Sequence, residues 1–100
     1  MNSFDKIYAL VSKIPKGKVT TYGAIAKQIN VDPRVVGFAL HANKDPKNIP
    51  CHRVINSKGE ISSGYAFGGP NKQKKMLIKE GVKFDKNEAV NLKKYGFFLF

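Results

Sequence analysis

The chain has 100 residues, enough for one hydrophobic core and too few for two. It carries 18 Lys and Arg against 7 Asp and Glu, a net charge of +11, while 42% of its residues are hydrophobic. This apolar content excludes a disordered basic tail, and no apolar run approaches the roughly 20 residues that span a bilayer. One cysteine excludes an internal disulfide and argues against a zinc site. We therefore expect one cytoplasmic domain over residues 1–100, with no membrane or metal contact and with affinity for a polyanion.

The N-terminal third is predicted to hold two short helices. Apolar residues at helical spacing predict the first over residues 4–14, ended by Pro15. The second is predicted over residues 22–30, with Thr20 and Thr21 as N-cap candidates.

Asp32 followed by Pro33 predicts the start of a third helix, because aspartate caps the first turn and proline lacks only an N–H that would be unpaired there. This helix is predicted to end near Asn43.

A short helix, a tight turn and a second helix with Arg34 at its start are typical of a helix-turn-helix, although an ordinary helical hairpin shows the same pattern.

The C-terminal half predicts strands, a loop and a further helix. Residues 53–55 and 60–62 flank the turn-forming residues 56–59 and predict a β-hairpin. A glycine-rich stretch follows, and a last helix is predicted over residues 70–81. The aromatic C-terminus is expected to fold back onto the domain. The predicted fold class is mainly α with a small β-hairpin wing, a winged helix-turn-helix-like domain.

Cys51, next to His52 and Arg53, is the candidate for reactive chemistry. A thiol attacks as its thiolate, and neighbouring cations or a histidine base lower its pKa. Glu80, at the end of the last predicted helix, is a candidate to orient the imidazole. A buried, inert cysteine and a solvated carboxylate are the competing interpretations.

The motifs around this cysteine resemble those of the O6-alkylguanine-DNA alkyltransferases, also called methylated-DNA–protein-cysteine methyltransferases. The active-site signature is matched by Pro50-Cys51-His52-Arg53-Val54. The similar segments elsewhere, in the family's order, are Gly17-Lys18-Val19-Thr20-Thr21-Tyr22, Arg34 to Asn43, Ser63-Gly64-Tyr65 with Gly68-Gly69, and Lys79-Glu80-Gly81. The combination is far more specific than any single motif.

The resemblance implies repair of O6-alkylguanine in double-stranded DNA. The helix-turn-helix would lie in the minor groove, the damaged base would rotate out of the duplex, and Cys51 would accept its alkyl group irreversibly. His52, acting through a water and oriented by Glu80, would take the thiol proton. No cofactor is implied.

The resemblance also assigns roles outside the Cys51 segment. Arg34 would fill the space left by the flipped base, and Gly37 and Ala39 would let the helix approach the groove closely. Tyr22 would contact the flipped base or its phosphate, and Asn43 would tie the third helix to the cysteine loop. The resemblance also places Val54, Gly64 and Tyr65 in the pocket for the flipped base. Arg53 is implied to lie among the DNA-binding residues, but we expect its role to be structural or charge-stabilising.

The family commonly has an additional N-terminal domain, which is not expected in this chain, and a monomer is expected. The main alternative is an alkyltransferase-like protein that binds the lesion without transfer and hands it to excision-repair proteins, which would then be its partners. Such proteins carry tryptophan or another residue at the nucleophile position, so Cys51 favours transfer. A basic winged-helix binder with a buried cysteine and a thiol hydrolase are further alternatives.

Overall fold

The computed structural model describes residues 2–61, 67–98 and 100. Its elements in chain order are α1 (Ser3–Val11), β1 (Thr20–Thr21), α2 (Tyr22–Ile29), α3 (Pro33–His41), a 3-10 turn (Cys51–Arg53), β2 (Val54–Ile55), α4 (Gly69–Lys79) and α5 (Leu92–Tyr95). The predicted mainly helical class is confirmed. Within the described ranges, no helix is both long enough and apolar enough to cross a membrane.

The helix-turn-helix begins each of its helices at the predicted cap. The Thr21 hydroxyl accepts a hydrogen bond from the backbone N–H of Ala24 at 3.1 Å, which caps α2. Asp32 Oδ1 accepts one from the backbone N–H of Arg34 at 2.8 Å, which caps α3, and Pro33 occupies the first turn. The left-handed C-cap Asn30 then ends α2 and turns the chain toward α3.

The predicted β-hairpin is wrong in its strand pairing. β2 pairs in parallel with β1, with Thr20 opposite Val54 and Thr21 opposite Ile55. The predicted turn is present, since Asn56 N–H donates to the Glu60 carbonyl at 3.1 Å, but Glu60 then bridges Ala89 instead of returning along β2. The partner of β2 is thus a strand from the N-terminal half, which local sequence could not indicate.

Two clusters of buried side chains lie on either side of β2. The first core cluster joins α1, α2 and α3 to the cysteine segment and includes Cys51 and Val54; the second joins β2 to α4 and the C-terminal segment and includes Ile55. Val54 and Ile55 are adjacent and fully buried, so successive side chains of the strand enter different clusters. The Cys51 turn is thereby fixed between the helix-turn-helix and α4.

The C-terminus folds back onto the domain, as predicted for its described residues. The backbone N–H of Val19 donates to the Tyr95 carbonyl at 2.8 Å, and the N–H of Phe97 donates to the Val19 carbonyl at 2.7 Å. Phe97 and Phe100 pack against the first core cluster, while Phe98 is 47% exposed.

Candidate active site

Cys51 opens the 3-10 turn and lies at the rim of the first core cluster. It is a free cysteine with 4% of its surface exposed. Burial raises the pKa of its thiol, although hydrogen bonds from the Asn43 side chain and nearby backbone N–H groups oppose the rise. The lowered thiol pKa expected from cationic neighbours is therefore wrong for the unbound protein: the side chains of His52 and Arg53 turn toward Glu80. A protonated thiol needs a base when it reacts.

His52 and Glu80 form the pair that the sequence predicted. His52 Nε2 lies 3.0 Å from Glu80 Oε2, and only 6% of the histidine side chain is exposed. Burial lowers the pKa of His52, while Glu80 acts to raise it. The imidazole is therefore neutral at pH 7, and the facing carboxylate favours the tautomer with hydrogen on Nε2. Nδ1 is then an acceptor, and it is buried without a partner among the described residues.

Arg53 fixes Glu80 from the other side. Its Nε donates to Glu80 Oε1 at 2.9 Å and its Nη2 to Oε2 at 2.7 Å, a two-point contact, while Nη1 donates to the Ile14 carbonyl at 2.8 Å. Partial burial alone would raise the pKa of Glu80, but hydrogen bonds from Arg53 and His52 outweigh it and the pKa lies below its ordinary value. This geometry fits the structural and charge-stabilising role; a contact of Arg53 with DNA stays a prediction.

Asn43 makes the connection expected of it between α3 and the cysteine segment. Its side-chain amide donates to the Ile49 carbonyl at 2.9 Å, and its Oδ1 accepts the backbone N–H of Asp45 at the same distance. It is 4% exposed, and it acts to lower the pKa of the Cys51 thiol. One side chain thus connects the end of α3 to the loop that leads to the nucleophile.

Gln73 is a site residue that the sequence analysis missed. It is 1% exposed on α4, and its Nε2 donates to the carbonyls of His52 and Val54 at 3.0 and 3.1 Å. These bonds hold the backbone immediately after Cys51. Its position four residues before the buried Leu77, on the inner face of the helix, was the available signal.

The outer face of α3 carries Arg34, whose side chain is 82% exposed and bonds Asp32. A Cβ built on Gly37 would meet nothing within 4 Å, so this position is open, as expected. The expectation for Ala39 is wrong. Ala39 is fully buried because it lies three residues after Val36, on the helix face that packs into the core.

The remaining predicted pocket residues are placed as follows. Tyr22 begins α2 and packs, half-buried, against the first core cluster. The Val54 side chain is fully buried, which leaves only its backbone to contact a ligand. Gly64 and Tyr65 lie outside the described residues. Among the residues described, no group of three His, Cys, Asp or Glu side chains is arranged to hold a metal ion.

Comparison with known proteins identifies the family. A family model described as 6-O-methylguanine DNA methyltransferase, DNA binding domain, matches residues 2–82. The chain belongs to this family. The resemblance inferred from the sequence motifs is confirmed.

Relatives in this family carry two kinds of name. The methylated-DNA–protein-cysteine methyltransferase of Methanocaldococcus jannaschii is 47% identical over 77 residues, covering 75% of this chain and 43% of its own length. Alkyltransferase-like protein 1 of Schizosaccharomyces pombe is 42% identical over 81 residues, which cover 79% of this chain and 75% of the relative's own length. A structure of S. pombe Atl1 in complex with damaged DNA containing O6-carboxymethylguanine matches with a TM-score of 0.81, 37% identity and coverage of 95% and 94%. The chain thus spans less than half of the methyltransferase relative and most of the alkyltransferase-like one.

Proposed function

We propose that this protein repairs duplex DNA by moving an alkyl group from O6 of guanine to Sγ of Cys51. The observation that carries the proposal is the arrangement at Cys51: a neutral, buried His52 holds Glu80 with one ring nitrogen and keeps the other as an unpaired acceptor among the described residues. A buried neutral base on the residue that follows a protonated thiol suits general-base activation of the nucleophile.

The reaction is one displacement at carbon. The thiol proton passes to His52 Nδ1, directly or through a water, as sulfur attacks the alkyl carbon. The S–C bond forms while the bond from carbon to O6 breaks, and guanine leaves with the electron pair. The departing guanine then takes up a proton from the His52 imidazolium or from solvent, which returns His52 to its neutral form. The Glu80 carboxylate, which Arg53 holds in place against Nε2, stabilises the transient imidazolium. The thioether has no ready route back to a thiol, so each molecule acts once and needs no cofactor.

DNA is proposed to bind at α3, with Arg34 entering the space that the flipped nucleotide leaves. Rotating a base out of the stack costs a few kcal/mol, least for a damaged base that pairs badly. Arg34 is available for this because its pair with Asp32 is exposed, with 82% and 48% of the side chains accessible. Such a surface pair contributes little and separates readily. The relatives include structures solved with DNA, which supports this ligand.

Lesion binding without transfer is the second candidate. It is favoured by the match in fold to S. pombe Atl1, of whose chain 94% is covered. Excision-repair proteins would then be the partners. Cys51 at the nucleophile position favours transfer.

The deciding experiment is the intact mass of the protein after incubation with a duplex containing one O6-methylguanine. Transfer predicts the mass of one added methyl group, located on Cys51, with no gain in Cys51→Ala. An undamaged duplex of the same sequence is the matched control. Binding to the lesion without a mass gain would favour the alkyltransferase-like function. A protein that neither binds the lesion nor gains mass would contradict both candidates.

A further inference from the structure

A phenylalanine side chain lies uncovered on α3. Phe38 is 64% exposed, the most exposed of the large hydrophobic residues in the described ranges. Single exposed apolar side chains are ordinary on protein surfaces, so exposure alone carries no conclusion. A ligand at Phe38 is indicated by its position on the helix and by the residues around it.

Phe38 shares the outer face of α3 with Arg34. It follows Arg34 by four residues, the spacing that places two side chains on one helix face. Gly37 leaves the space beside it open, since a Cβ there would meet nothing within 4 Å. The opposite face, carrying Val36, Ala39 and Leu40, is buried in the first core cluster. The outer face of α3 therefore carries the Arg34 guanidinium, the open space at Gly37 and the exposed ring of Phe38.

The charge around this face favours a polyanion over a protein partner. The chain carries +11, and the acidic residue at the N-cap of α3, Asp32, is already bonded to Arg34. Lys27 and Lys44 are exposed on or beside α2 and α3. A nucleic-acid duplex offers phosphates to such cations and, within its groove, apolar sugar and base edges to a ring.

We propose that Phe38 packs its ring against deoxyribose and base edges in the DNA groove that receives α3. Four residues advance about 6 Å along a helix. This is about two nucleotide steps of a DNA strand, so Phe38 acts beside the extrusion site and not in it. The contact is apolar and independent of sequence and damage. The proposal rests on the proposed function only in taking duplex DNA as the ligand of α3.

The test compares wild type, Phe38→Ala and Phe38→Leu for binding an undamaged fluorescent duplex at several salt concentrations. Ile78→Ala is the matched control, because Ile78 is a second large apolar residue, 52% exposed, on α4. We expect the dissociation constant of Phe38→Ala to rise about tenfold, as for truncation of an interface aromatic. Phe38→Leu should recover part of the affinity, and Ile78→Ala should bind like wild type.

The salt dependence separates an apolar contact from a phosphate contact. The logarithm of the association constant falls linearly with the logarithm of the salt concentration. Each lost phosphate contact makes this slope shallower by about 0.9, whereas loss of an apolar contact leaves it unchanged. Wild-type affinity in Phe38→Ala, an equal loss in Ile78→Ala, or a reduced slope would overturn the proposal.

These readouts keep the two proposals apart. If the wild-type protein gains no mass from O6-methylguanine DNA, the transfer function fails, while the effect of Phe38→Ala on binding to undamaged duplex is still measured. If Phe38→Ala binds normally, the Phe38 contact fails and transfer to Cys51 is unaffected.

Discussion

Replacing Arg53 with methionine should destabilise the protein and shift the pH dependence of its reaction. The guanidinium makes two hydrogen bonds to Glu80 and one to the Ile14 carbonyl, with 15% of the arginine side chain and 14% of the Glu80 side chain exposed. Methionine fills most of the volume but leaves the carboxylate with His52 alone. Removing one partner of a largely buried ion pair costs about 3–5 kcal/mol of unfolding free energy.

We expect the lower end of that range, about 3 kcal/mol, because both side chains keep some contact with water. For a domain of this size, this corresponds to a fall in melting temperature of roughly 12–24 °C. Urea denaturation followed by circular dichroism measures the free energy. Arg53→Lys keeps the charge but loses the two-point contact, so its loss should be intermediate.

The pH effect follows from the charge of Arg53, which acts to lower the pKa of His52. In Arg53→Met this influence is gone and Glu80 still acts to raise the pKa, so His52 becomes protonated at higher pH and stops acting as a base. The acid limb of benzyl transfer from free O6-benzylguanine should therefore move to higher pH, but stay in place in Arg53→Lys. A stability loss within about 0.5 kcal/mol, the usual range of surface substitutions, or an unmoved acid limb in Arg53→Met would refute the reasoning.

Three further predictions concern Gln73, Arg34 and the pair of His52 and Glu80. Gln73→Met removes the bonds donated to the His52 and Val54 carbonyls and should cost about 1–3 kcal/mol in urea denaturation and slow benzyl transfer; unchanged transfer would show that the bonds do not position the site. Arg34→Ala should slow transfer from duplex O6-methylguanine far more than from free O6-benzylguanine, and equal losses would exclude its proposed role. The melting temperature should fall as pH drops below about 6.5, because the pKa values of His52 and Glu80 are lowered by folding and the unfolded chain takes up protons first. A constant melting temperature from neutral pH to below the ordinary pKa of a glutamate would contradict this. In His52→Gln, the part of the fall that comes from protonation of histidine, at the higher pH values, should be reduced.

The helix-turn-helix could be predicted because its signals are local. Thr21, Asp32 and Pro33 each act on backbone groups within three residues, so their identity fixes where α2 and α3 begin. The pairing of His52 with Glu80 was also predicted, through the family's motifs and the chemistry of a histidine base. The end of α1 was less well defined: the helix stops at Val11, and Ile14 is buried from the following turn.

The errors share a physical origin in contacts between distant parts of the chain. β1 and β2 have two residues each and are joined by parallel pairing across more than thirty residues, which no local pattern encodes. Burial of the Cys51 thiol likewise depends on packing against the first core cluster, and the bonds of Gln73 depend on how α4 packs against the cysteine segment. The inward orientation of Ala39 was within reach of periodicity alone, from its spacing to Val36.

The short parallel pair has a mechanical consequence. Thr21 is both the last residue of β1 and the cap of α2, and it lies opposite Ile55, four residues beyond the nucleophile. Backbone pairing therefore joins the start of a helix that would meet DNA directly to the strand that follows the reacting sulfur. In the proposed reaction, we expect the duplex rather than this junction to deform as the lesion is brought to the sulfur.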